Sequence, residues 1–125
     1  AAIQVPEDVI FLGRVEESIL PNLYHFATSF VYVSMYEGFG LPPLEAMSVG
    51  TSVIVGNATS LPEVVGSAGI YVDPYSETEI ANAIKRILAD EDLRRLLSIR
   101  GRARANGFSW EKTASELANI FKAEL

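Results

Sequence analysis

Residues Tyr36–Gly50 read YEGFGLPPLEAMSVG, and the rest of the chain is read outward from them. Just before this stretch, Phe30–Ser34 (FVYVS) is a short apolar run of the buried-strand type, and just after it Ser52–Gly56 (SVIVG) is another. Gly38 and Gly40 permit backbone angles that other residues avoid and let a ligand come close to the main chain. Pro42 and Pro43 suit the first turn of a helix, where a missing N–H costs little. A helix Pro43–Val49 with Gly50 as its stop follows. Strand, glycine loop, helix and strand form one βαβ unit. The loop and first helical turn then lie at the carboxyl end of a parallel sheet, where open α/β folds place their ligands.

The same stretch holds two carboxylates, Glu37 and Glu45, eight positions apart. That spacing decides nothing by itself, because Glu116 and Glu124 share it within an ordinary amphipathic C-terminal segment. Context separates the pairs. Glu45 falls near a helix N-terminus, whose free N–H groups carry partial positive charge and suit a phosphate. A carboxylate there suits paired hydroxyls, such as those of a ribose. The alternative is that Glu45 complements the helix dipole and Glu37 is a solvated loop residue. The residue pattern leaves both readings open.

A chain of 125 residues, 49% hydrophobic and 21% charged, is expected to fold as one globular domain. Without cysteine it has neither a disulfide framework nor a thiolate metal site. No apolar run approaches the roughly 20 residues needed to span a bilayer, and a cytoplasmic location is expected. The net charge of −6 argues against nucleic acid as a partner. Seven of the ten basic residues lie between Lys85 and Arg104, whereas Ile19–Val65 holds none. The basic segment is read as a solvated helix face alternating with Glu and Asp, with an anionic membrane surface or a second domain as the other possibility.

Along the chain, Val9–Gly13 (VIFLG) reads as a first buried strand, followed by a helix over Ser18–Ala27 with Pro21 in its first turn. Leu61–Val65 reads as a helical turn and Gly69–Val72 as a fourth strand. Ser76 and Glu79 form a capping box for a helix with Ile80, Ile84, Ile87 and Leu88 on one face. Glu91–Ala105 is the next helix, and Ser109 caps the last, with Ala114, Leu117, Ala118 and Phe121 on one face. The expected class is therefore α/β, a Rossmann-like parallel sheet of about four strands with flanking helices and a helical C-terminus. His25, the only histidine, reads as a helix-surface or packing residue, and Trp110 as a packing anchor. No spacing resembles a metal site.

Glu37–Glu45 resembles the E-x7-E element of retaining glycosyltransferases with the GT-B fold, the group that includes glycogen and sucrose synthases and many bacterial mannosyltransferases. The resemblance extends through VIFLGRV, LYHFA, FVYVS, YEGFGLPPLEAM, SLPEVVGSAGIYVDP and FSWEKTA, nearly the whole chain. It implies a single, truncated donor-binding domain over residues 1–125, the second half of a C-terminal nucleotide-sugar domain. In that family the first glutamate approaches the hydroxyls of the donor sugar, which maps to Glu37 as the catalytic position, and the second binds ribose hydroxyls, which maps to Glu45. Main-chain N–H groups of Gly38, Phe39, Gly40 and Leu41 would meet the sugar and diphosphate, and Gly13, Arg14 and Val15 the base. The implied reaction is sugar transfer from a nucleotide diphosphate sugar to an acceptor with retained configuration, without cofactor or metal.

The resemblance also implies an Arg and a Lys holding the diphosphate, and an N-terminal acceptor domain, none of which lies within these residues. The chain alone is therefore expected to be inactive. Thr51-Ser52 stands where that family often has valine-proline, and Thr28-Ser29 where it often has an aspartate. In the family's sheet order, 3-2-1-4-5-6, this chain would hold strands 3, 4, 5 and 6. An open apolar edge would then favour self-association. The alternative function is a non-catalytic nucleotide-binding or folding module whose glutamates are structural.

Overall fold

The structure, a computed structural model, describes residues 6–124. Three parallel strands, β1 (Phe30–Tyr32), β2 (Val53–Gly56) and β3 (Gly69–Val72), form one sheet in the order β1-β2-β3. Phe30 lies opposite Val53, and Val53 opposite Gly69. Strands alternate with helices, as the βαβ reading requires: α1 (Leu20–Phe26), α2 (Leu41–Ser48) and α3 (Leu61–Val65), then α4 (Glu77–Ala89), α5 (Glu91–Ala105) and α6 (Trp110–Ala123).

Successive side chains of a strand point to opposite faces, and β2 shows this directly. Val53 and Val55 join a core of Tyr24, Ala46, Met47, Leu61 and Val65 under α1–α3. Ile54 joins a second core with Val72, Ala83, Ile87 and Leu97 under α4 and α5. Helix α5 reaches both, through Leu97 near its middle and Ala105 at its C-terminal end. Between them, Gly101 lets α5 settle on α2, for a Cβ there would stand 3.2 Å from the Met47 Cβ.

One expected strand is absent. Val9–Gly13 is not paired, and Ile10 and Phe11 are 79% and 81% exposed. An apolar run becomes a strand only where a neighbour accepts its N–H and C=O groups, and no described residue does so here. Among the described residues the sheet therefore has three strands rather than four. Helix α2 begins at Leu41, two residues ahead of the expected start, with both prolines in its first turn. The Ser76 and Ser109 hydroxyls each accept from the amide three residues on, but the capping box at Ser76 does not close, because the Glu79 carboxylate takes the Asp73 amide and the Ser76 amide goes to the Asp73 carbonyl. In α6 no residue is buried, and Leu117 and Phe121 on its apolar face are 51% and 63% exposed.

The basic residues of the segment Lys85–Arg104 are exposed except Arg94, as on a solvated face, and three of its arginines also bind main-chain carbonyls. Arg94 donates to the carbonyls of Ile87 and Leu88 at the end of α4, and Arg104 to those of Glu63 and Val64 at the end of α3. Arg102 donates to Val49 just past α2. These guanidinium groups cap helix C-termini, where carbonyls lack intrahelical donors. Among the described residues the one ion pair is Lys112–Glu116 at 4.0 Å. No described helix is long and apolar enough to cross a membrane.

Candidate functional site

The loop between β1 and α2 leaves the carboxyl end of the sheet through Glu37–Gly40. Its exit is set by Gly40, the N-cap of α2, at φ 105 and ψ 49. A Cβ there would also lie 2.8 Å from the Leu61 Cδ2, so both backbone and packing demand glycine. The Ser60 hydroxyl donates to the carbonyls of Glu37 (3.2 Å) and Phe39 (2.8 Å), and the Glu37 amide donates to the Thr59 hydroxyl at 3.1 Å. The loop's acceptors are thus tied down from the loop after β2. No described group accepts from the amides of Gly38, Phe39 or Gly40, and Leu41 opens a helix with no side-chain cap. Pro42 and Pro43 carry no N–H, so the donors of this corner are concentrated in those four amides.

Each carboxylate is held by one phenol. The Tyr32 hydroxyl, on β1, donates to Glu37 Oε1. The Tyr24 hydroxyl, on α1, donates to Glu45 Oε2 at 3.4 Å. The two tyrosines are joined through Phe30, which stacks on Tyr32 with ring centres 5.8 Å apart and meets Tyr24 edge-on at 5.0 Å. The Tyr32 hydrogen bond, helped by the Ser34 hydroxyl, holds the Glu37 carboxyl below its ordinary range. Burial, then the hydrogen bond to Glu37, pushes the Tyr32 phenol up to about 12. Tyr24 is raised too, by burial first and the Glu45 charge second.

Glu45 lines a hollow of about 390 Å³ between α1 and α2, with Glu17, Leu20, Pro21, Tyr24, Ser48 and Val49. Glu37 is not part of that wall; it stands at the other end of the aromatic row. Of the residues expected near a base, Gly13 has φ 64 and is exposed with Arg14, and Val15 is half-buried. No hydrogen bond or ion pair among the described residues ties these three to either glutamate. No three described His, Asp or Glu side chains come together in a way that could hold a metal.

Tyr24 and Tyr32 escaped sequence reasoning. Tyr32 carried a usable signal, since it shares a strand face with Phe30 by the two-residue period. Nothing local joins Tyr24 to Glu45, 21 positions away. The two unusual pairs are also explained. Thr51 donates to the Tyr24 carbonyl at 2.6 Å, Ser52 to the Thr28 carbonyl, and Ser29 to the Ser52 carbonyl, so these hydroxyls seam the end of α1 to the start of β2.

The family model described as glycosyl transferases group 1 matches residues 1–104. The chain is 48% identical to the O-antigen chain mannosyltransferase B of Escherichia coli, over 90% of this chain and 29% of that protein. It is 32% identical to the D-inositol 3-phosphate glycosyltransferase of Nocardia farcinica, over 100% of this chain and 28% of that protein. It thus spans less than a third of these curated relatives. Among solved structures, sucrose-phosphate synthase from Thermosynechococcus elongatus superposes with a TM-score of 0.82 at 36% identity, covering 91% of this chain and 29% of that one. The C-terminal domain of a glycosyl transferase group 1 family protein from Francisella tularensis gives 0.69 at 31%, covering 78% and 51%.

Proposed function

The chain belongs to the group 1 glycosyl transferases, with the GT-B fold, and on that premise we propose that it binds the nucleotide diphosphate sugar from which the sugar is transferred, with anomeric configuration retained. The observation that carries this reading is the corner at Glu37–Glu45, where four amides without described acceptors stand between two carboxylates. Amide donors at a helix N-terminus suit a diphosphate. Carboxylates suit hydroxyls, Glu37 those of the sugar and Glu45 those of the ribose, with the hollow beside Glu45 taking the nucleoside. Gly13, Arg14 and Val15 would contact the base.

Charge grows on the departing diphosphate during transfer, so N–H donors and cations placed there lower the barrier. This corner supplies the N–H donors and no cation: Ile19–Val65 has no Lys or Arg, and Arg102 and Arg104 are bound to helix-end carbonyls. Binding without turnover is therefore the expected behaviour of these 125 residues alone. Titration of the labelled chain with UDP- and GDP-sugars at millimolar concentration should move the amide resonances of Gly38, Phe39, Gly40, Leu41 and Glu45. Silence at those amides, with the rest of the spectrum folded, would refute the reading.

A further inference from the structure

We propose that Tyr32 and Tyr24 are positioning residues, one phenol per carboxylate, that aim Glu37 at the sugar and Glu45 at the nucleoside of the donor. The inference deepens the proposed function and rests on it. A carboxylate has two oxygens and about four lone-pair directions. An arginine partner would take both oxygens and neutralise the charge. A phenol takes one, leaves the other free, and adds no charge. Tyr32 takes Oε1 of Glu37, where the Ser34 hydroxyl also assists, Tyr24 takes Oε2 of Glu45, and no cation sits on either.

The phenols are themselves fixed. Tyr24 is 8% exposed, and Phe30 packs against both rings within the core that contains Met47 and Val53. A loop glutamate such as Glu37 would otherwise sample several rotamers and lose that freedom only on binding. The row Tyr24–Phe30–Tyr32 therefore transmits the rigidity of the sheet to two acceptors that face solvent. The phenol donates, because an ionised carboxylate has no hydrogen to give.

Affinities of the chain for UDP, UDP-glucose, GDP and GDP-mannose, measured with Tyr32→Phe and Tyr24→Phe, separate the two roles. Tyr32→Phe should weaken the better-bound nucleotide sugar about three- to tenfold, the range of one hydrogen bond, and leave its nucleoside diphosphate within twofold. Tyr24→Phe should weaken both by similar factors. Unchanged nucleotide-sugar affinity in a folded Tyr32→Phe, or equal loss of sugar and diphosphate binding, overturns the assignment. A second measurement needs no substitution and no ligand: side-chain couplings of Glu37 and Glu45 should report one χ1 rotamer each, and rotamer averaging at both overturns the hold. If none of the four ligands binds the unsubstituted chain, the proposed function falls, while the couplings still judge the phenols.

Discussion

The two ends of α2 are built in opposite ways. At the C-terminal end the carbonyls of Ala46, Met47 and Val49 are all answered. Gly50, at φ 89, turns the chain so that its own amide donates to Met47 and the Thr51 amide to Ala46, the paired bonds of a Schellman stop. Arg102 then donates to the Val49 carbonyl at 3.1 Å, and His25 Nδ1 lies 3.4 Å from the same oxygen. At the N-terminal end Gly40 offers no side-chain cap, two prolines remove donors that would need one, and the remaining amides point away from any described acceptor. One end is capped and carries stability. The other is left open between two anchored carboxylates, as a binding corner must be, because a capped N-terminus has no donors left for a ligand.

The largest expected effect comes from the middle of α2, which both ends share. Met47 is fully buried against Gly101. Met47→Ala should cost about 2–5 kcal/mol in urea unfolding, with loss of donor binding only through unfolding. A smaller, one-sided effect is expected from Arg102→Met, about 1 kcal/mol of stability with amide shifts on ligand addition unchanged at Gly38–Leu41. If that variant instead altered ligand binding and left stability intact, the division between the ends would be wrong.

The smallest effect is a pH signature at the open end. The folded pKa of Tyr32 lies above its unfolded value of 10.0, so its contribution is whole below pH 10 and fades as pH rises toward about 12. Glu37 is lowered from 4.5, so its contribution is whole above that pH and is lost as pH falls through its folded value. Tyrosine ring resonances should show one phenol with a midpoint near 12 that disappears in Tyr32→Phe. Arg102, at the closed end, does not titrate in this range.

Much of this was legible along the chain. The order of β1, α2, β2, β3 and α4 follows from short apolar runs, paired prolines and serine caps, all signals that act within a few residues. The corner at Glu37–Glu45 stood out because glycine and proline have fixed backbone consequences wherever they occur. What periodicity could not supply was the company each segment keeps. VIFLG at Val9–Gly13 and SVIVG at Ser52–Gly56 are the same kind of sequence, yet Val53, Ile54 and Val55 are fully buried while Ile10 and Phe11 lie open. Arginines read as a solvated face also cap the ends of other helices, and two tyrosines that drew no notice hold the carboxylates. Local sequence determines which backbone shapes are cheap. Strand pairing, helix capping from a distance and the aim of a carboxylate are settled only when remote segments meet, because each depends on a donor or a surface supplied from elsewhere in the fold.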